Sequence, residues 1–598
     1  MAVFDINTGR GSTLHLQSLG NRTVVFFLGA WPGMALGLWP FWNQLPGAMG
    51  RFGYAFWWAL PVAVVGGLLY TRIRHNRINQ TVRLMESAED AARKEAAEAA
   101  ENAPATDPFE VPFSGLVLGT SSGFLRNERG YANGILAGHE VHLNREDACK
   151  NLIIFGGIGS GKTTRAINPL LKQILRQDTG ALIFDIKTDF EHAVKAISAK
   201  AGRSYKVVGD GGMTLNLFRG CTPELASSYL KSCFLAQGQG DGDSAFWVDS
   251  ATEMSRHCLH LIRLAKGDYS LAGLYEVVFN DQARGDMLAQ VAQDVANLSD
   301  RDQRFFQQTQ SFLVQQWDTR DEKLKSNMNA TISQVLSPFT HPDLADAFSA
   351  GSEHGEADMT ALINDGDVFL VKLPMTKYGQ AGARFAYLIL KLRFMNMMRE
   401  RTTRPEWDQE RAVAFICDEY QAIIDPISDT DFWDKSRSTG TVGVISMQGV
   451  SSLIQALKGN NQAANAILQN FRQRLIFRTE DEATVNNVQK VLGQGKMKLQ
   501  STNKGESLSN NYSAAPGNAP GSKSWSESES RGASLSKTWR NLFEAADMRQ
   551  LSANECLFIG NLGDYGVAEV LSVTPLYPPK MAARDQAETI VEFEADHA

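Results

Sequence analysis

The sequence predicts an α/β protein in which a parallel-sheet domain is interrupted by an all-α inserted domain and preceded by a two-helix transmembrane anchor. Three observations carry this. An apolar run at 152–155 leads straight into a glycine-rich loop and a helix-compatible stretch. Further apolar, strand-like runs alternate with helical stretches on either side of a strand-poor region at 221–360. Two long uncharged segments open the chain. Alternation of strands and helices is the pattern of a parallel sheet covered on its faces.

At 598 residues the chain is too long for one core, and a length prior gives about three or four domains. An apolar fraction of 43% with 21% charged residues is that of an ordered globular protein. The net charge of −7 argues against a body coated in positive charge. It leaves room for a local basic channel, because nucleic-acid binding depends on where charges sit. The six cysteines are scattered without a C-x-x-C pair, and the ten histidines show no metal-ligand spacing. Reduced thiols and no structural zinc are expected.

Residues 1–22 read as a cytoplasmic N-terminus. The runs at 23–42 and 52–70 contain no charged residue. Each is long enough to cross a hydrocarbon core of about 30 Å at about 1.5 Å per residue. Trp31, Trp39, Trp42, Trp57 and Trp58 suit interfacial anchoring. Arg72, Arg74, Arg77 and Arg83 follow the second run, whereas the connector carries a single charge. The positive-inside rule then places everything after the hairpin (23–71) in the cytoplasm. Residues 72–108 continue as a basic stretch, an Ala/Glu-rich helical spacer at 85–102 and a Pro-containing linker.

The next segment, 109–220, forms the first part of the nucleotide-binding domain. Gly156, Gly157, Ile158, Gly159, Ser160, Gly161, Lys162, Thr163 and Thr164 spell the pattern G-x-x-x-x-G-K-S/T. The glycines let backbone N–H groups turn inward and cradle phosphate oxygens at a helix N-terminus. Lys162 is expected on the β- and γ-phosphates and the Thr163 hydroxyl on Mg²⁺. Gly180 reads as the stop after the loop's helix, and the run at 181–190 as a buried strand ending in acids. Residues 221–360 carry helical periodicity with few strand signals, as an all-α inserted domain. Strand-like runs resume at 367–374, 412–420 and 441–448, with a helix at 383–399, in the second part of the nucleotide-binding domain, 361–580. Within it, 499–536 is rich in Ser, Asn and Gly and reads as a disordered loop. The tail at 581–598 is acidic, either a solvated end or a docking tail for a basic partner.

A glycine-rich loop alone fits kinases, GTPases, transporters and motors. Asp418 and Glu419, at the end of the apolar run beginning at residue 412, narrow the choice. One carboxylate holds Mg²⁺ and its neighbour activates a water, which assigns Asp418 to the metal and Glu419 to general base. An adjacent pair of this kind favours ATP hydrolysis over GTP signalling. Asp185 is a rival, also ending an apolar run; with Lys187 it is expected to face the nucleotide cleft or a central channel. Gln448 ends the following run, placed to sense a γ-phosphate or orient water. Arg437 is a candidate finger toward a neighbouring subunit's phosphate, with Arg474 and Arg478 as rivals. The basic run at 391–404 reads as a solvated helix face rather than a nucleic-acid track.

The order of parts is more specific than any one motif. A two-span start, GLVLGT ahead of GGIGSGKTT, an all-helical insertion containing FWVDSA, and ICDEYQ followed by SRSTGTVGVISMQ resemble the type IV secretion coupling proteins of the TraD/TraG family. The Ser-rich gap before NLFEAADMRQLSANECLFIGNL adds to the likeness, which covers essentially the whole chain. The resemblance implies a RecA-like ATPase using ATP and Mg²⁺, assembled as a homo-hexamer at a bacterial inner membrane. It would recruit relaxase-bound single-stranded DNA (the relaxosome), or protein substrates, and drive transfer into a type IV secretion channel. By the same analogy the helical insertion caps the cytoplasmic mouth and helps recognise cargo. Many relatives carry Lys-Gly-Glu where this chain has Lys187-Thr188-Asp189, which leaves the role of the Asp185 segment open. Two other readings stand beside this one. An FtsK-like double-stranded DNA pump is opposed by two spans rather than several and by the lack of a basic winged-helix candidate after residue 570. An ATP-gated substrate receptor without motor activity is the other.

Overall fold

The computed structural model describes residues 107–237, 244–348, 355–512 and 523–578, with backbone alone for 244 and 496–538. The apolar runs at 23–42 and 52–70, the spacer at 85–102 and the tail at 581–598 lie outside the described residues. Among the described residues, no helix is long and apolar enough to cross a membrane.

The chain enters its sheet through β1 (Gly115–Ser121) and β2 (Glu140–Asn144). β3 (Leu152–Phe155) follows and runs through the glycine loop into α1 (Asn168–Leu175). β4 (Thr179–Asp185), α2 (Glu191–Ala201) and β5 (Lys206–Gly209) complete the first half. The insertion is built from α3 (Pro223–Ala236), α4 (Ser244–Ala265), α5 (Leu271–Phe279), α6 (Asp281–Asp294), α7 (Asp300–Gln310) and α8 (Glu322–Leu336). The second half adds β6 (Val368–Lys372), α9 (Gln380–Arg401), β7 (Ala412–Cys417), α10 (Pro426–Lys435) and β8 (Thr441–Met447). After these come α11 (Asn461–Asn470), β9 (Gln473–Ile476), β10 (Gln494–Tyr512), β11 (Lys523–Asn541), β12 (Glu555–Leu562) and β13 (Tyr565–Ser572).

All but β10 and β11 join one 11-stranded sheet in the order β2-β1-β13-β12-β9-β3-β8-β7-β4-β6-β5. Neighbours from β9 to β5 are parallel. The remaining pairs are antiparallel. Every residue of β3, β4, β7 and β8 is buried, which is why these strands read as unbroken apolar runs. Successive side chains serve opposite faces. Ile154, Ile183, Ile416 and Val444 pack with Leu171 and Ile174 of α1 and Val194 of α2. Phe155, Phe184, Phe415 and Ile445 face the other way, into a core shared with α9 and with Leu230, Leu259 and Ile332 of the insertion. The inserted helices therefore share their core with one face of the sheet.

Three sequence expectations need correction. Gly180 does not stop a helix; it lies inside β4, where the Leu362 carbonyl oxygen passes so close that a Cβ would collide with it. The loop's helix ends earlier, at Leu175. Residues 499–536, expected as a disordered loop, lie largely in β10 and β11, which pair antiparallel from Gln494–Asn541 to Tyr512–Lys523. Composition weighed only what side chains can bury, and a hairpin satisfies its backbone groups without a core. Finally, the basic run is not a plain solvated face: Lys391 and Arg401 are buried on α9. Arg401 donates to the carbonyls of Asp408, Thr439 and Arg411.

Candidate nucleotide-binding site

The carboxyl ends of β3, β4, β7 and β8 lie along one edge of the sheet, where an open α/β sheet presents its binding crevice. A cleft of about 520 Å³ opens there, lined by Gly157–Gly159 and Gly161–Thr164 of the loop together with Lys187, Asp418, Glu419 and Gln448. Chain segments far apart in sequence thus converge because parallel strands deliver their ends to one place.

Gly161 and Gly156 show why the loop needs glycine. Gly161 has φ +84°, and a Cβ there would also run into the Arg165 guanidinium. A Cβ on Gly156 would stand 2.5 Å from Ser160 Oγ and 2.9 Å from Phe477 Cβ. The following helix opens with a wide turn, Thr163–Ile167, in which Asn168 N–H donates to the Thr163 carbonyl. Such turns recur at functional sites. Lys162 Nζ donates to the loop's own carbonyls, 2.6 Å to Gly156 and 3.4 Å to Gly157. Burial pulls the Lys162 amine below the usual lysine range; Asp418 and Glu419 oppose that shift and Lys187 adds to it.

Asp418 faces the loop directly. Its Oδ2 accepts from Thr163 Oγ1 at 3.3 Å. Its Oδ1 accepts from Glu419 N–H at 3.0 Å and from the Ser446 hydroxyl. Glu419 adopts a left-handed backbone, φ +59°, which costs a residue with a Cβ about 1–3 kcal/mol and concentrates at functional sites. Its Oε2 accepts from the Gln421 amide. Lys187 Nζ stands 2.5 Å from Glu419 Oε1 and 3.6 Å from Asp418 Oδ2. Burial alone would lower the Lys187 pKa, but the Glu419 hydrogen bond and the charges of Asp418, Glu419 and Asp189 outweigh it, and the net direction is up. Thr188, the next residue, is left-handed too, at φ +62°. Both ends of this ion pair thus sit beside or on strained backbone.

Gln448 lines the cleft at the end of β8. Two positions earlier on the same strand, Ser446 orients Asp418, a role that sequence reading missed. The signal was available, since residues i and i+2 of a strand share a face. Lys187 reaches the cleft as expected, but Asp185 does not line it. Asp185 is buried and its Oδ2 accepts from the N–H groups of Phe190 (3.1 Å) and Glu191 (3.2 Å), capping the start of α2. Its Oδ1 is buried with no hydrogen-bond partner. Burial, with help from Asp189, raises its pKa to about 6 against the lowering effect of those backbone hydrogen bonds.

The candidate fingers are not gathered into the cleft. Arg437 precedes β8, at the opposite end of that strand from Gln448, and it is exposed and paired with Glu146. Arg474 is spent on the Leu468 carbonyl (2.7 Å), Asn487 Oδ1 (3.0 Å) and the Phe471 carbonyl (3.3 Å). Arg478 is exposed beside the loop, its carbonyl accepting from Gly157 N–H at 3.1 Å.

A buried network lies behind the acidic pair. Lys391 Nζ is 2.6 Å from Asp429 Oδ1, both side chains fully buried. Asp429 also accepts from Tyr420 Oη (2.8 Å) and Asp425 N–H (3.0 Å), and Trp433 Nε1 donates to Tyr420 Oη at 3.0 Å. Tyr420 directly follows Glu419, so this network fixes the turn that carries the carboxylates.

Sheet and cleft define an α/β P-loop NTPase fold with RecA-like character, in which the β8 strand separates the loop strand β3 from the acidic strand β7. Two family models match the chain: the type IV secretion-system coupling protein DNA-binding domain over residues 136–202, and the TraM recognition site of TraD and TraG over residues 412–553. One match falls on either side of the inserted helices, and the resemblance drawn from the motifs is borne out. No curated protein matches the chain.

Among solved structures, the unbound bacterial conjugative coupling protein TrwBdeltaN70 is 16% identical with a TM-score of 0.49, covering 81% of this chain and 98% of its own. Plasmid coupling protein TrwB in complex with ADP and Mg²⁺ is 15% identical with a TM-score of 0.48, covering 79% and 97%. VirB4 of Thermoanaerobacter pseudethanolicus is 15% identical with a TM-score of 0.38, covering 63% and 87%. The fold assignment rests on the sheet itself rather than on these likenesses.

Proposed function

We propose that this chain is the ATP-hydrolysing coupling protein of a type IV secretion or conjugation system. The observation that carries the chemistry is the meeting of Thr163 and Asp418 at 3.3 Å across the cleft, with Glu419 beside them. These residues fit a magnesium–nucleotide ligand. Ser160 Oγ is buried in the loop without a hydrogen-bond partner, and the Lys162 amine is turned onto the loop's own carbonyls. Thr163 and Asp418 would hold Mg²⁺, which when bound neutralises charge on the phosphates.

Lys162 exchanges its bonds to Gly156 and Gly157 for the β- and γ-phosphates. Glu419, freed from Lys187, accepts a proton from the attacking water. The water oxygen bonds to the γ-phosphorus as the bond to the bridging oxygen breaks, yielding ADP and phosphate. Gln448, at the cleft wall, orients that water or senses the γ-phosphate. Arg437, which lies away from the cleft of its own chain, serves as the finger toward a neighbouring copy. That role belongs to a homo-hexamer, in which one subunit's arginine meets the next subunit's nucleotide.

The two matched models carry the rest of this proposal. They describe a coupling-protein DNA-binding domain and a TraM recognition site. By that likeness the chain receives relaxase-bound single-stranded DNA and relaxosome components and passes cargo to the secretion channel. The uncharged runs at 23–42 and 52–70 support a two-span anchor in the bacterial inner membrane with both termini cytoplasmic. Lys162→Ala tests the reading. Nucleotide binding and DNA-stimulated ATP hydrolysis should be lost while membrane association persists. A wild-type protein that binds cargo but whose turnover no DNA stimulates would sink the translocase reading.

A further inference from the structure

The cleft has a polarity. Asp418, Glu419, Gln448 and Lys187 mark the end where the terminal phosphates belong, because Thr163, the loop's Mg²⁺-ligand position, meets Asp418 there. The rest of a nucleotide must leave the loop past the next residue, Thr164. The proteins of this fold read phosphates through a loop, but nothing in that loop reads a base.

What lies beside Thr164 comes from the far end of the described chain. Leu576 N–H donates to the Thr164 carbonyl at 2.8 Å, and Leu576's own carbonyl accepts from Asn168 Nδ2 at 3.0 Å. The segment after β13 is therefore stitched along the first turns of the loop's helix. It delivers Tyr577, 60% exposed, whose hydroxyl is 3.5 Å from Arg165 Nη2. Arg165 Nε in turn donates to Asn554 Oδ1 at 2.9 Å, just before β12, and the guanidinium lies directly over Gly161. An aromatic ring and a guanidinium plane thus lie beside the first turn of the loop's helix, and the segment that carries the ring is tied to that turn by the Leu576–Thr164 backbone hydrogen bond and the Asn168 side chain. A large exposed aromatic held by such bonds is a stacking platform for a π-face.

We propose that Tyr577 and Arg165 form the nucleobase subsite. Tyr577 stacks on the base of the bound nucleoside triphosphate, and Arg165 is the positioning residue that holds the ring and flanks the α-phosphate end of the loop. Among the described residues, no side-chain amide or carboxylate besides Asn554 is hydrogen-bonded to this pair. Stacking without edge readout tolerates different bases, so the subsite takes nucleoside triphosphates, ATP and GTP among them, with little choice between bases.

The inference rests on the nucleotide reading above, and one experiment separates the two. Affinities of ATP, GTP and inorganic tripolyphosphate are measured by equilibrium binding to the full-length protein, its Tyr577→Ala variant and its Tyr577→Phe variant. Tyr577→Ala should weaken ATP and GTP by about tenfold, the range of a lost base–aromatic stack. Tripolyphosphate should bind all three proteins alike, and Tyr577→Phe, which keeps the ring but loses the hydroxyl that Arg165 reaches, should bind ATP with an affinity between those of the wild type and Tyr577→Ala. Equal ATP affinity in the wild type and Tyr577→Ala would overturn the subsite, as would a matching loss for tripolyphosphate. A wild type that binds no tripolyphosphate would instead overturn the phosphate-loop reading on which the subsite depends.

Discussion

At the scale of single residues, Ser446 and Asp185 separate support for the site from support for the fold. Ser446 binds the Asp418 oxygen that does not face Thr163, so it sets the direction of the carboxylate. Outer partners of this kind are worth about 10–100-fold in metal affinity. Ser446→Ala should therefore raise the Mg²⁺ concentration needed for half-maximal nucleotide binding by about tenfold; an unchanged magnesium titration would remove Ser446 from the site. Asp185 makes the opposite case. Its pKa rises from 3.8 in the unfolded chain to about 6 in the fold, burial being the main cause. A raised carboxyl pKa favours the fold fully below the unfolded value, and that advantage is lost as pH climbs through the folded value. The wild type should gain stability as pH falls from 7 to 5. Asp185→Asn, which keeps an acceptor for Phe190 and Glu191, should lack that gain in denaturant melts at the two pH values. An identical slope in both proteins would refute the burial argument. The sequence made both aspartates visible as strand-end acids. It could not rank them, because the ranking depends on which strand end faces Thr163 and which turns back to cap α2.

At the scale of elements, the turn after β7 is held from behind by Lys391 of α9 and Asp429 of α10. Burial raises the Asp429 pKa, against the lowering pull of Lys391. Removing one member of a fully buried pair strands the other and costs about 3–5 kcal/mol. Lys391→Met should therefore destabilise the protein by about that amount, read from denaturant unfolding. A loss below about 1 kcal/mol, the scale of a surface pair, would show that the network is solvated. Lys391 was invisible in the sequence because it opens a run of basic residues whose charge suggests solvent, and only the packing of α9 against the sheet makes it internal. The hairpin β10–β11 argues in the other direction. It forms its own two-stranded sheet, outside the 11-stranded one. Replacing 497–538 with a short glycine-serine turn should leave ATP affinity as in the wild type; a lost affinity would mean that the hairpin supports the cleft.

At the scale of the whole molecule, the strands that build the site were legible and the order in which they pair was not. β3, β4, β7 and β8 are buried on both faces, so each appears as a bounded apolar run, and the chemistry sits within a few residues of its end. Pairing order depends on contacts between segments separated by the whole insertion, which no local pattern records. Nor does sequence periodicity reveal that the inserted helices share a core with the sheet, or that the segment after β13 returns to the loop's helix. Those long-range closures bring Tyr577 to Arg165 and Lys187 to Glu419. They turn a phosphate loop into a site with two distinguishable ends.

The central claim is that this cleft hydrolyses ATP with Glu419 as base, and Glu419→Gln tests it most directly. General base catalysis contributes about 10²–10⁴-fold to turnover. With ATP affinity and single-turnover hydrolysis measured on the same preparation, the account predicts wild-type ATP binding and a hydrolysis rate lower by about 100-fold or more. ATP bound as in the wild type and hydrolysed at the wild-type rate would contradict it.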